Sequence, residues 1–502
     1  MDENVKRKNK RIFLFCLFIL YLVFNGILLA RHEPWRDEAN VWLMARELSP
    51  LQLFKEIKYQ GHPCLWYLLV MPFAKVGLPF RTIGILSYLV MGITAGIFVW
   101  KAPLNSITKA FCLFSPIFTY FYPDIARNYC LIAMILVLLA WLFPKRNEKT
   151  VLYGLLLGLL VQADTIAIAE AGVISLMWLG ESLWRGIKNK DYSIFKRVLR
   201  GVWIPLASLG LWVVQFYQVS DSPQLQMRTL GGKELLNEIR NFSYGILIRL
   251  TGRSKGFCLI FLLLCLILFL IAAFKQKNGW VLAVAALSFL FQGTFSAVIY
   301  QLHIWHYISL CFVFIWAVWV LHLQMKEKAV IDKISRITLG MLEVLLIVFS
   351  GCMFLNWNSE GEASNLDNAL HGSYSDGVYT AEYIEENISP DELFVSVNVA
   401  YASTVVACLP DYDFYFAGNG HVATYADWSM WQSGQISFEE LLLWVKSTFP
   451  DKEEFYLLDS GDSCLTEADA LKEYEVLYQT QEATARGEEY IIYKIRLGNQ
   501  YE

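Results

Sequence analysis

The chain has 502 residues, of which 56% are hydrophobic, 15% aromatic and only 18% charged. Soluble domains carry about 25% charged and 45–50% apolar residues, so this composition excludes a soluble enzyme and a disordered scaffold. The net charge of −4 is unevenly distributed: residues 1–355 hold 36 basic and 19 acidic side chains, whereas residues 356–502 hold 6 basic and 27 acidic ones. We therefore predict two different domains, a basic membrane domain (1–355) and an acidic C-terminal domain (356–502).

Apolar segments of membrane-spanning length follow one another along the first domain. After the basic stretch KRKNKR, the run Ile12–Ala30 has no small-residue cleavage site behind it, which favours a first spanning helix over a signal peptide. We predict about eleven transmembrane helices, the others near residues 82–100, 107–122, 129–143, 151–162, 165–183, 199–219, 257–274, 279–300, 307–323 and 337–355. The apolar stretch Cys64–Val76 is short and contains Pro72 and Lys75, so we do not count it as a span.

The distribution of Lys and Arg between these spans predicts their orientation. With a cytoplasmic N-terminus, the cytoplasmic segments hold 22 Lys or Arg in 63 residues, and the outer segments hold 14 in 107. Basic residues concentrate on the cytoplasmic side of membrane proteins, so this orientation is favoured. We therefore predict a multi-pass cell-membrane protein whose acidic C-terminal domain lies outside the cytoplasm.

The first outer loop contains an amphipathic stretch, PWRDEANVWLMAREL. Its apolar residues recur with helical spacing, which predicts an interfacial helix with its tryptophans, Trp35 and Trp42, toward lipid. Asp37 and Glu38 fall in the first turn of this helix, where a carboxylate can simply complement the helix dipole. Their position beside Arg36 and tryptophans at a membrane surface also makes them candidates for chemistry.

Further polar residues lie at the outer ends of later spans. The loop YPDIARNY places Asp124 and Arg127 three residues apart, which by itself fits an ordinary surface ion pair. Asp164 interrupts an apolar stretch, and Glu170 follows inside the next predicted span. Carboxylates at membrane depth usually face a polar cavity or pair with a cation.

Two outer loops leave a structural and a functional interpretation open. In QLHIWHY, His303 and His306 could bind a metal or form part of an interfacial aromatic belt. In the loop Ser220–Gly256, Arg228 and the pair Gly231-Gly232 suit either a segment that closes over a ligand or a surface connector. Polar groups gathered at the outer surface suit chemistry on a substrate whose head group lies there while its tail stays in lipid.

The order of these elements resembles the GT-C glycosyltransferases. The basic N-terminus, the first span, the loop PWRDEANVWLMAREL, the segment GHPCLWYLLV and Arg81 before the next span follow one another as in bacterial protein-mannosyltransferase and aminoarabinose-transferase-like membrane proteins. The segment RNYCLIA is similar to the Arg-x-Tyr stretch of those proteins. The resemblance covers about 320 residues. It implies transfer of a sugar from a polyprenyl-phosphate donor to a glycan, lipid or protein acceptor at the outer face, with inversion at the anomeric carbon.

The resemblance assigns roles to residues of this chain. It implies that the pair Asp37 and Glu38 supplies the catalytic carboxylate, and an inverting transfer needs one base to take the acceptor's proton. The leaving phosphate needs cations or N–H donors, and we predict these at a set of outer residues: Arg127, Arg81, Arg228, His306 and Tyr307. Where many relatives have Arg-Tyr this chain has His306-Tyr307, so a charge there would depend on pH.

Contacts to the rest of the substrate and to a metal complete these predictions. We predict that substrate is bound by His62, Tyr129, Asp164 and His303. Some related transferases use a divalent metal and others do not. Asp37, Asp124 and Asp164 could supply oxygen ligands to Mg²⁺ or Mn²⁺, although no spacing demonstrates such a site.

Residues 356–502 alternate helical and extended patterns, which predicts an α/β domain with a parallel or mixed sheet. No Gly-rich phosphate fingerprint opens its helices, which favours a lipid-linked donor over a nucleotide sugar. Cys408 and Cys464 could form a disulfide, although their separation in the sequence does not by itself favour one. Trp428 and Trp431 could stack on a sugar ring or pack at the edge of the core.

Two other functions compete with glycosyl transfer. A flippase or transporter of lipid-linked sugars with an extracytoplasmic module would also need many spans and polar groups. Transporters typically place their sites near the midplane and often contain internal repeats, and no duplicated half is apparent in this sequence. A sensor anchored by its spans is the third alternative, but it would need far fewer than eleven.

Overall fold

The computed structural model describes a defined part of the chain, which is residues 3–217, 228–276, 279–326, 332–357, 365–417, 421–422, 424–426, 436–461, 463, 465–466, 474–481 and 483–497. Most of it is helical. The α-helices are α1 (Glu3–Arg31), α2 (Arg36–Glu47), α3 (Pro50–Glu56), α4 (Leu65–Lys75), α5 (Thr82–Lys101), α6 (Ser106–Leu113), α7 (Tyr129–Leu142), α8 (Thr150–Ala163), α9 (Ile168–Asn189), α10 (Ser193–Phe216), α11 (Gly232–Thr251), α12 (Lys255–Gln276), α13 (Trp280–Val298), α14 (Ile304–Lys326), α15 (Lys333–Trp357), α16 (Leu366–His371), α17 (Gly377–Asn387), α18 (Val399–Cys408) and α19 (Phe438–Thr448).

Within the described ranges, eight helices are long and apolar enough to cross a membrane, namely α1, α5, α9, α10, α12, α13, α14 and α15. Helices α7 and α8 are also apolar but have only 14 residues each. Large apolar side chains on the long helices remain exposed, including Leu20, Leu176 and Ile260 at 59%, 63% and 62%. Lipid is the environment in which such surfaces are stable, and the prediction of a multi-pass helical membrane protein is confirmed.

Several helix boundaries differ from the predicted spans. The predicted span at residues 107–122 forms only the short helix α6, and turns follow it; Tyr120 in these turns has a positive φ of 69°. Helix α4, at 11 residues, is too short to span, in agreement with the prediction. The predicted outer loop Ser220–Gly256 contains the 20-residue helix α11, and its residues 220–227 lie outside the described part of the chain.

The chain folds into two compact units that do not follow the linear boundary at residue 355. The membrane unit comprises Met1–Leu29, Gly61–Trp66 and Ser87–Ser359. The C-terminal unit comprises Glu360–Glu502 together with Ala30–Gln60 and Tyr67–Leu86. Most of the first predicted outer loop therefore groups with the C-terminal residues.

Small residues allow close helix packing inside the membrane unit. A Cβ built on Gly154 of α8 would lie 2.1 Å from the carbonyl oxygen of Gly201 in α10, which is impossible without moving a helix. One turn later, a Cβ on Gly158 would lie 3.2 Å from Ile204. Glycines four residues apart let the backbones of two apolar helices approach, as in other membrane bundles.

A six-stranded mixed sheet forms the centre of the C-terminal unit, with the strand order β3-β2-β1-β5-β8-β7. Strand β1 lies between β2 and β5 and is parallel to both, whereas β3, β8 and β7 pair antiparallel. The strands, with the two of a separate small sheet, are β1 (Phe394–Ser396), β2 (Phe414–Phe416), β3 (His421–Val422), β4 (Ile436–Ser437), β5 (Glu454–Ser460), β6 (Leu465–Thr466), β7 (Glu475–Gln479) and β8 (Tyr490–Arg496). The predicted α/β domain is confirmed.

The sheet has a continuous apolar core. The side chains of β1, β5 and β8 pack against α19 through residues such as Val395, Leu441, Leu457 and Ile495, each of which is fully buried. The prediction of a tryptophan stack at Trp428 and Trp431 lies outside the described residues, and so does Cys464 of the predicted disulfide.

Helix α2 does not direct its aromatic residues to lipid, contrary to our interpretation of the loop as interfacial. Trp35 and Trp42 are 8% and 2% exposed, and Ala39 is fully buried. Trp42 packs near Phe80 with ring centroids 6.2 Å apart, and Trp35 packs edge-on to Tyr374 at 5.8 Å. The amphipathic pattern is real, but within the C-terminal unit its apolar face is covered by protein.

Candidate functional site

Arg127, His62 and Asp164 form a hydrogen-bonded chain in the membrane unit. Nη2 of Arg127 lies 2.9 Å from Nε2 of His62, and Nδ1 of His62 lies 3.1 Å from Oδ2 of Asp164. Because a guanidinium can only donate, Nε2 of His62 is the acceptor and Nδ1 carries the proton that is donated to Asp164. These hydrogen bonds therefore assign a neutral imidazole placed between a cation and a carboxylate.

Asp164 is held by the ends of two helices. It follows the last residue of α8, and its Oδ1 accepts a hydrogen bond from the N–H of Ile166 at 2.9 Å, which caps the short 3₁₀ turn before α9. Asn128, the residue before α7, donates to Oδ2 of Asp164 at 2.6 Å and to the carbonyl of Ala163 at 2.7 Å. The carboxylate is thus fixed by neighbours from two sides.

His62 reaches Asp164 because the segment Gly61–Trp66 belongs to the membrane unit. Gly61 has a φ of 74°, a conformation that residues with a Cβ rarely adopt, and it turns the chain directly before the histidine. Its carbonyl accepts from Thr165 Oγ1 at 3.2 Å, and Thr165 in turn accepts from Trp212 Nε1 at 3.2 Å. These contacts attach the segment beside the end of α8.

The electrostatics of this cluster favour a charged Asp164. Burial raises the pKa of the Asp164 carboxyl, but the contacts with His62, the N–H of Ile166 and the nearby His306 together outweigh burial, so the net pKa is lowered. Arg127 is half-buried, and its guanidinium also lies 5.6 Å from the ring centroid of Tyr129. A cation held this way at a helix boundary can bind an anionic oxygen without further reorganisation. We call Arg127, His62, Asp164 and Asn128 the arginine cluster.

His306 and Tyr129 form a second contact next to this cluster. Nε2 of His306 lies 3.0 Å from the Tyr129 hydroxyl, and its Nδ1 accepts from the N–H of His303 at 2.9 Å. His306 is buried, and these bonds assign a neutral ring that donates to Tyr129. Tyr307 donates its hydroxyl to the carbonyl of Leu302 at 2.6 Å. Both predicted phosphate contacts at this end of α14 are therefore engaged in contacts within the protein.

The remaining predicted residues of the membrane unit lie in different surroundings. Asp124 is fully buried. His303 is exposed and stacks on Trp305 at 4.9 Å. Arg228 is also exposed, and its backbone N–H donates to the carbonyl of Val298 at 2.8 Å.

The two carboxylates of α2 have different environments in the C-terminal unit. Glu38 is fully buried, and its Oε2 lies 3.0 Å from both the N–H of Trp35 and Nε2 of His32. Asp37 is half-exposed. Glu38 therefore holds the start of α2 in place, and Asp37 is the accessible carboxylate of the pair.

A buried charge network holds the first residue of α2. Glu488, which is fully buried, accepts the N–H of Arg36 at 3.1 Å and lies 3.9 Å from its guanidinium. Ser375, Thr404 and Tyr490 also place hydroxyls within 2.6 to 3.1 Å of this carboxylate. Burial raises the pKa of Glu488 to about 7, although Arg36 lowers it in part. The predicted cation Arg81 is exposed and belongs to the same unit.

The surroundings of Asp164 do not suit a metal ion, because hydrogen-bond donors already occupy both carboxylate oxygens. Its two oxygens already accept from His62, Asn128 and the Ile166 N–H, which compete with a cation for the same lone pairs. Across the described part of the chain, no group of three or more His, Cys, Asp or Glu side chains could hold a metal ion.

Some residues of these networks were not predicted from sequence. Asn128 could have been noticed as the residue that directly follows Arg127 and precedes an apolar helix. Gln292, which donates to the buried Glu170 at 3.2 Å and to Ser309 at 2.9 Å, lies within an apolar run and gives little signal. Arg36 and Glu488 are 452 residues apart, and no local pattern connects them.

Comparison with known proteins gives a structural likeness only. No family model and no curated protein matches the sequence. The chain is similar to ArnT from Cupriavidus metallidurans in the apo state, with 12% identity, a TM-score of 0.48 and coverage of 96% of this chain and 97% of that one. It is also similar to ArnT from the same organism bound to undecaprenyl phosphate, with 13% identity, a TM-score of 0.49 and coverage of 97% and 98%.

Proposed function

We propose that this protein is a membrane glycosyltransferase that moves a sugar from a polyprenyl-phosphate donor to an acceptor at the extracytoplasmic face. The observation that carries the proposal is the arginine cluster. Arg127 is held by His62 and Asp164 where apolar helices end, which is where the phosphate of a lipid with its tail in the bilayer would lie. The order of motifs in the sequence supports the same function.

The transfer is proposed to proceed with inversion. An acceptor hydroxyl oxygen attacks the anomeric carbon, and the bond from that carbon to the phosphate oxygen breaks. The bonding electrons leave with the phosphate, which remains on the lipid as polyprenyl phosphate. Arg127 stabilises the negative charge that develops on the phosphate oxygens. The acceptor proton passes to a carboxylate.

Asp37 is the proposed base. It is half-exposed, whereas the neighbouring Glu38 is buried and bonded to Trp35 and His32. A general base must reach the proton it removes, so exposure favours Asp37. We propose that Glu38 positions the first turn of α2 and does not touch the substrate.

The extracytoplasmic location is proposed from the distribution of basic residues, with 22 Lys or Arg in 63 residues of the segments assigned to the cytoplasm. A role for Mg²⁺ or Mn²⁺ is an alternative in which Asp37 or Asp124 supplies oxygen ligands, since the oxygens of Asp164 already accept hydrogen bonds. Dialysis of the purified protein against EDTA and re-addition of Mg²⁺ or Mn²⁺ tests it, and unchanged transfer would refute it.

The decisive experiment compares cells that lack the gene with the same cells carrying wild type, Asp37→Asn or Asp367→Asn. Asp367 is an exposed carboxylate of the C-terminal unit and serves as the matched control. Mass spectrometry of surface glycans and of polyprenyl-phosphate sugars is expected to show donor accumulation and one missing sugar in the deleted cells. Wild type and Asp367→Asn should restore the sugar, and Asp37→Asn should not, although it is inserted normally.

The same proteins test the competing transporter hypothesis. Wild-type protein in liposomes should form a new glycosidic bond when it is given the lipid-linked sugars that accumulate in deleted cells together with an envelope extract of the same cells as the source of the acceptor. Movement of these lipids across the bilayer without a new bond would replace the transferase proposal by a flippase. Full activity of Asp37→Asn would remove Asp37 as the base.

A further inference from the structure

Two loops of the membrane unit meet at one end of the helix bundle. Arg146, in the loop before α8, lies 2.8 Å from Glu181 of α9. A Cβ built on Gly201 of α10 would lie 2.6 Å from the carbonyl oxygen of Thr150, the first residue of α8. The loop between α7 and α8 and the loop between α9 and α10 are therefore neighbours on the same side of the unit.

These two loops and the helix ends beside them are strongly basic. Residues 144–149 and 184–200 hold nine Lys or Arg and only two carboxylates, Glu148 and Asp191. Arg146 is buried, but the other basic side chains are exposed. We call six of the exposed ones the basic rim: Lys145, Lys149, Arg185, Lys188, Lys196 and Arg200. Within the described residues, none of the six forms an ion pair with a carboxylate.

Exposed aromatic side chains accompany the basic rim. Trp184 near the end of α9 is 60% exposed, and Trp203 in α10 is 61% exposed. The ammonium group of Lys188 lies 5.0 Å from the centroid of the Trp184 ring, one turn away on the same helix. Tryptophan is enriched where a bilayer meets water, and Lys or Arg can lay its stem on apolar surface while its charge reaches the head groups. This combination is typical of helix ends at the depth of the lipid head groups.

The charge and the aromatic residues together restrict the partner. Anionic phospholipids are attracted to basic residues beside membrane helices, and their acyl chains can contact exposed aromatic rings. A soluble anion would be attracted by the same charge, but it would gain nothing from Trp184 and Trp203. The proposed orientation places this end of the bundle on the cytoplasmic side, where such lipids lie against the helix ends.

We propose that the basic rim binds the head group of an anionic phospholipid in the cytoplasmic leaflet. An orientation signal needs only an excess of Lys and Arg, whereas here contacts between α8, α9 and α10 bring cations from two loops to one end beside exposed tryptophans. The bound lipid is a structural partner, so this inference goes beyond the proposed glycosyl transfer and does not depend on it.

Native mass spectrometry of the purified full-length protein in neutral detergent tests the proposal. Dioleoyl phosphatidylglycerol is the anionic probe, and dioleoyl phosphatidylcholine is the zwitterionic probe. Phosphatidylglycerol is expected to bind about tenfold more tightly. Lys188→Gln combined with Arg200→Gln should weaken phosphatidylglycerol about tenfold and leave phosphatidylcholine unchanged.

Two further variants control for the loss of charge and for misfolding. Lys452→Gln combined with Arg496→Gln also removes one lysine and one arginine, but from exposed positions of the C-terminal unit, and it should bind phosphatidylglycerol like the wild type. Lys188→Arg combined with Arg200→Lys keeps both charges of the rim and should also bind like the wild type. The thermal midpoint of every variant is measured in parallel.

Inorganic phosphate distinguishes a lipid from a soluble anion. It should not displace phosphatidylglycerol, because it has no acyl chain to contact the exposed tryptophans. The proposal is overturned if the two phospholipids bind equally, if the neutralised rim binds phosphatidylglycerol within threefold of the wild type, or if inorganic phosphate displaces the lipid.

The basic rim and the arginine cluster can be tested separately. Polyprenyl phosphate is titrated with phosphatidylglycerol in excess, which fills the rim of the wild type. Under these conditions Arg127→Gln should lose polyprenyl phosphate, whereas Lys188→Gln combined with Arg200→Gln should keep it. If Arg127→Gln instead removes phosphatidylglycerol and the neutralised rim retains it, the phospholipid is bound by the arginine cluster and the rim is refuted.

Discussion

Replacement of Asp164 by Asn should disable the arginine cluster while it preserves the shape of the side chain. In the wild type, Oδ1 accepts from the Ile166 N–H, and Oδ2 accepts from His62 and Asn128. An amide has only one oxygen. If that oxygen keeps the Ile166 contact, the new NH₂ group faces two donors; if the amide turns over, it faces the Ile166 N–H.

The size of the effect follows from the bonds that are lost. Hydrogen bonds to a charged group contribute about 1.5–3 kcal/mol each, so the first orientation loses about 3–6 kcal/mol and the second about 1.5–3 kcal/mol. The orientation with the amide turned over therefore gives the lower limit of the energy that the cluster loses. If polyprenyl phosphate binds only the ordered cluster, and binding must restore about 2.7 kcal/mol of lost order, the affinity falls about 100-fold, because each 1.36 kcal/mol is a factor of ten. We expect polyprenyl phosphate to bind about 100-fold more weakly.

The assay titrates the purified protein with polyprenyl phosphate and follows binding by native mass spectrometry, with the thermal midpoint measured in parallel. Asp191→Asn is the matched control, because Asp191 also caps a turn by accepting from the N–H and hydroxyl of Ser193, but it is exposed and contacts no histidine in the described structure. The control should bind like the wild type. If Asp164→Asn binds polyprenyl phosphate within twofold of the wild type, the role given to the arginine cluster is refuted.

Three further outcomes are expected. The pKa of Glu488 is raised from 4.5 to about 7 in the folded protein, so between these pH values the folded state keeps a proton that the unfolded state has released. Thermal stability should therefore fall as the pH rises from about 4.5 to about 7. A pH series of the thermal midpoint should show a flatter slope for Glu488→Gln. Gly154→Ala should lower the thermal midpoint by the equivalent of about 1–3 kcal/mol, while Gly210→Ala, which meets open space on α10, should not lower it. Glu38→Gln should lower the thermal midpoint and retain measurable transfer, and complete inactivity in a protein of normal stability would contradict its positioning role.

Sequence patterns predicted the classes of secondary structure well, because burial in lipid and in a sheet leaves periodic apolar runs. They failed where apolar turns are buried in protein. The residues after Leu113 are as apolar as a span, yet the structure has turns there, with Tyr120 at a positive φ. Composition measures how well a segment tolerates an apolar environment, and such an environment can be protein as well as lipid. The tryptophans of α2 were misassigned for the same reason.

The candidate site was predicted only in part because its residues meet through tertiary structure. Arg127 and Asp164 could be selected from sequence, since charges between apolar runs are rare. Their connection through His62 depends on a six-residue segment of the chain, Gly61–Trp66, that packs into the membrane unit. No spacing between residues 62, 127 and 164 encodes that contact.

The distance in sequence between Arg36 and Glu488 has a consequence for the synthesis of the protein. At about 5–20 residues per second, a ribosome needs roughly 20–90 s to make the 452 residues that separate them. During that time every membrane helix of the described chain emerges, but the first residue of α2 has no carboxylate to join. A chain interrupted before Glu488 would keep the local contacts of Glu38 with Trp35 and His32 but would lack the carboxylate that binds Arg36, so α2 reaches its final set of contacts only when the last strand of the sheet has been made.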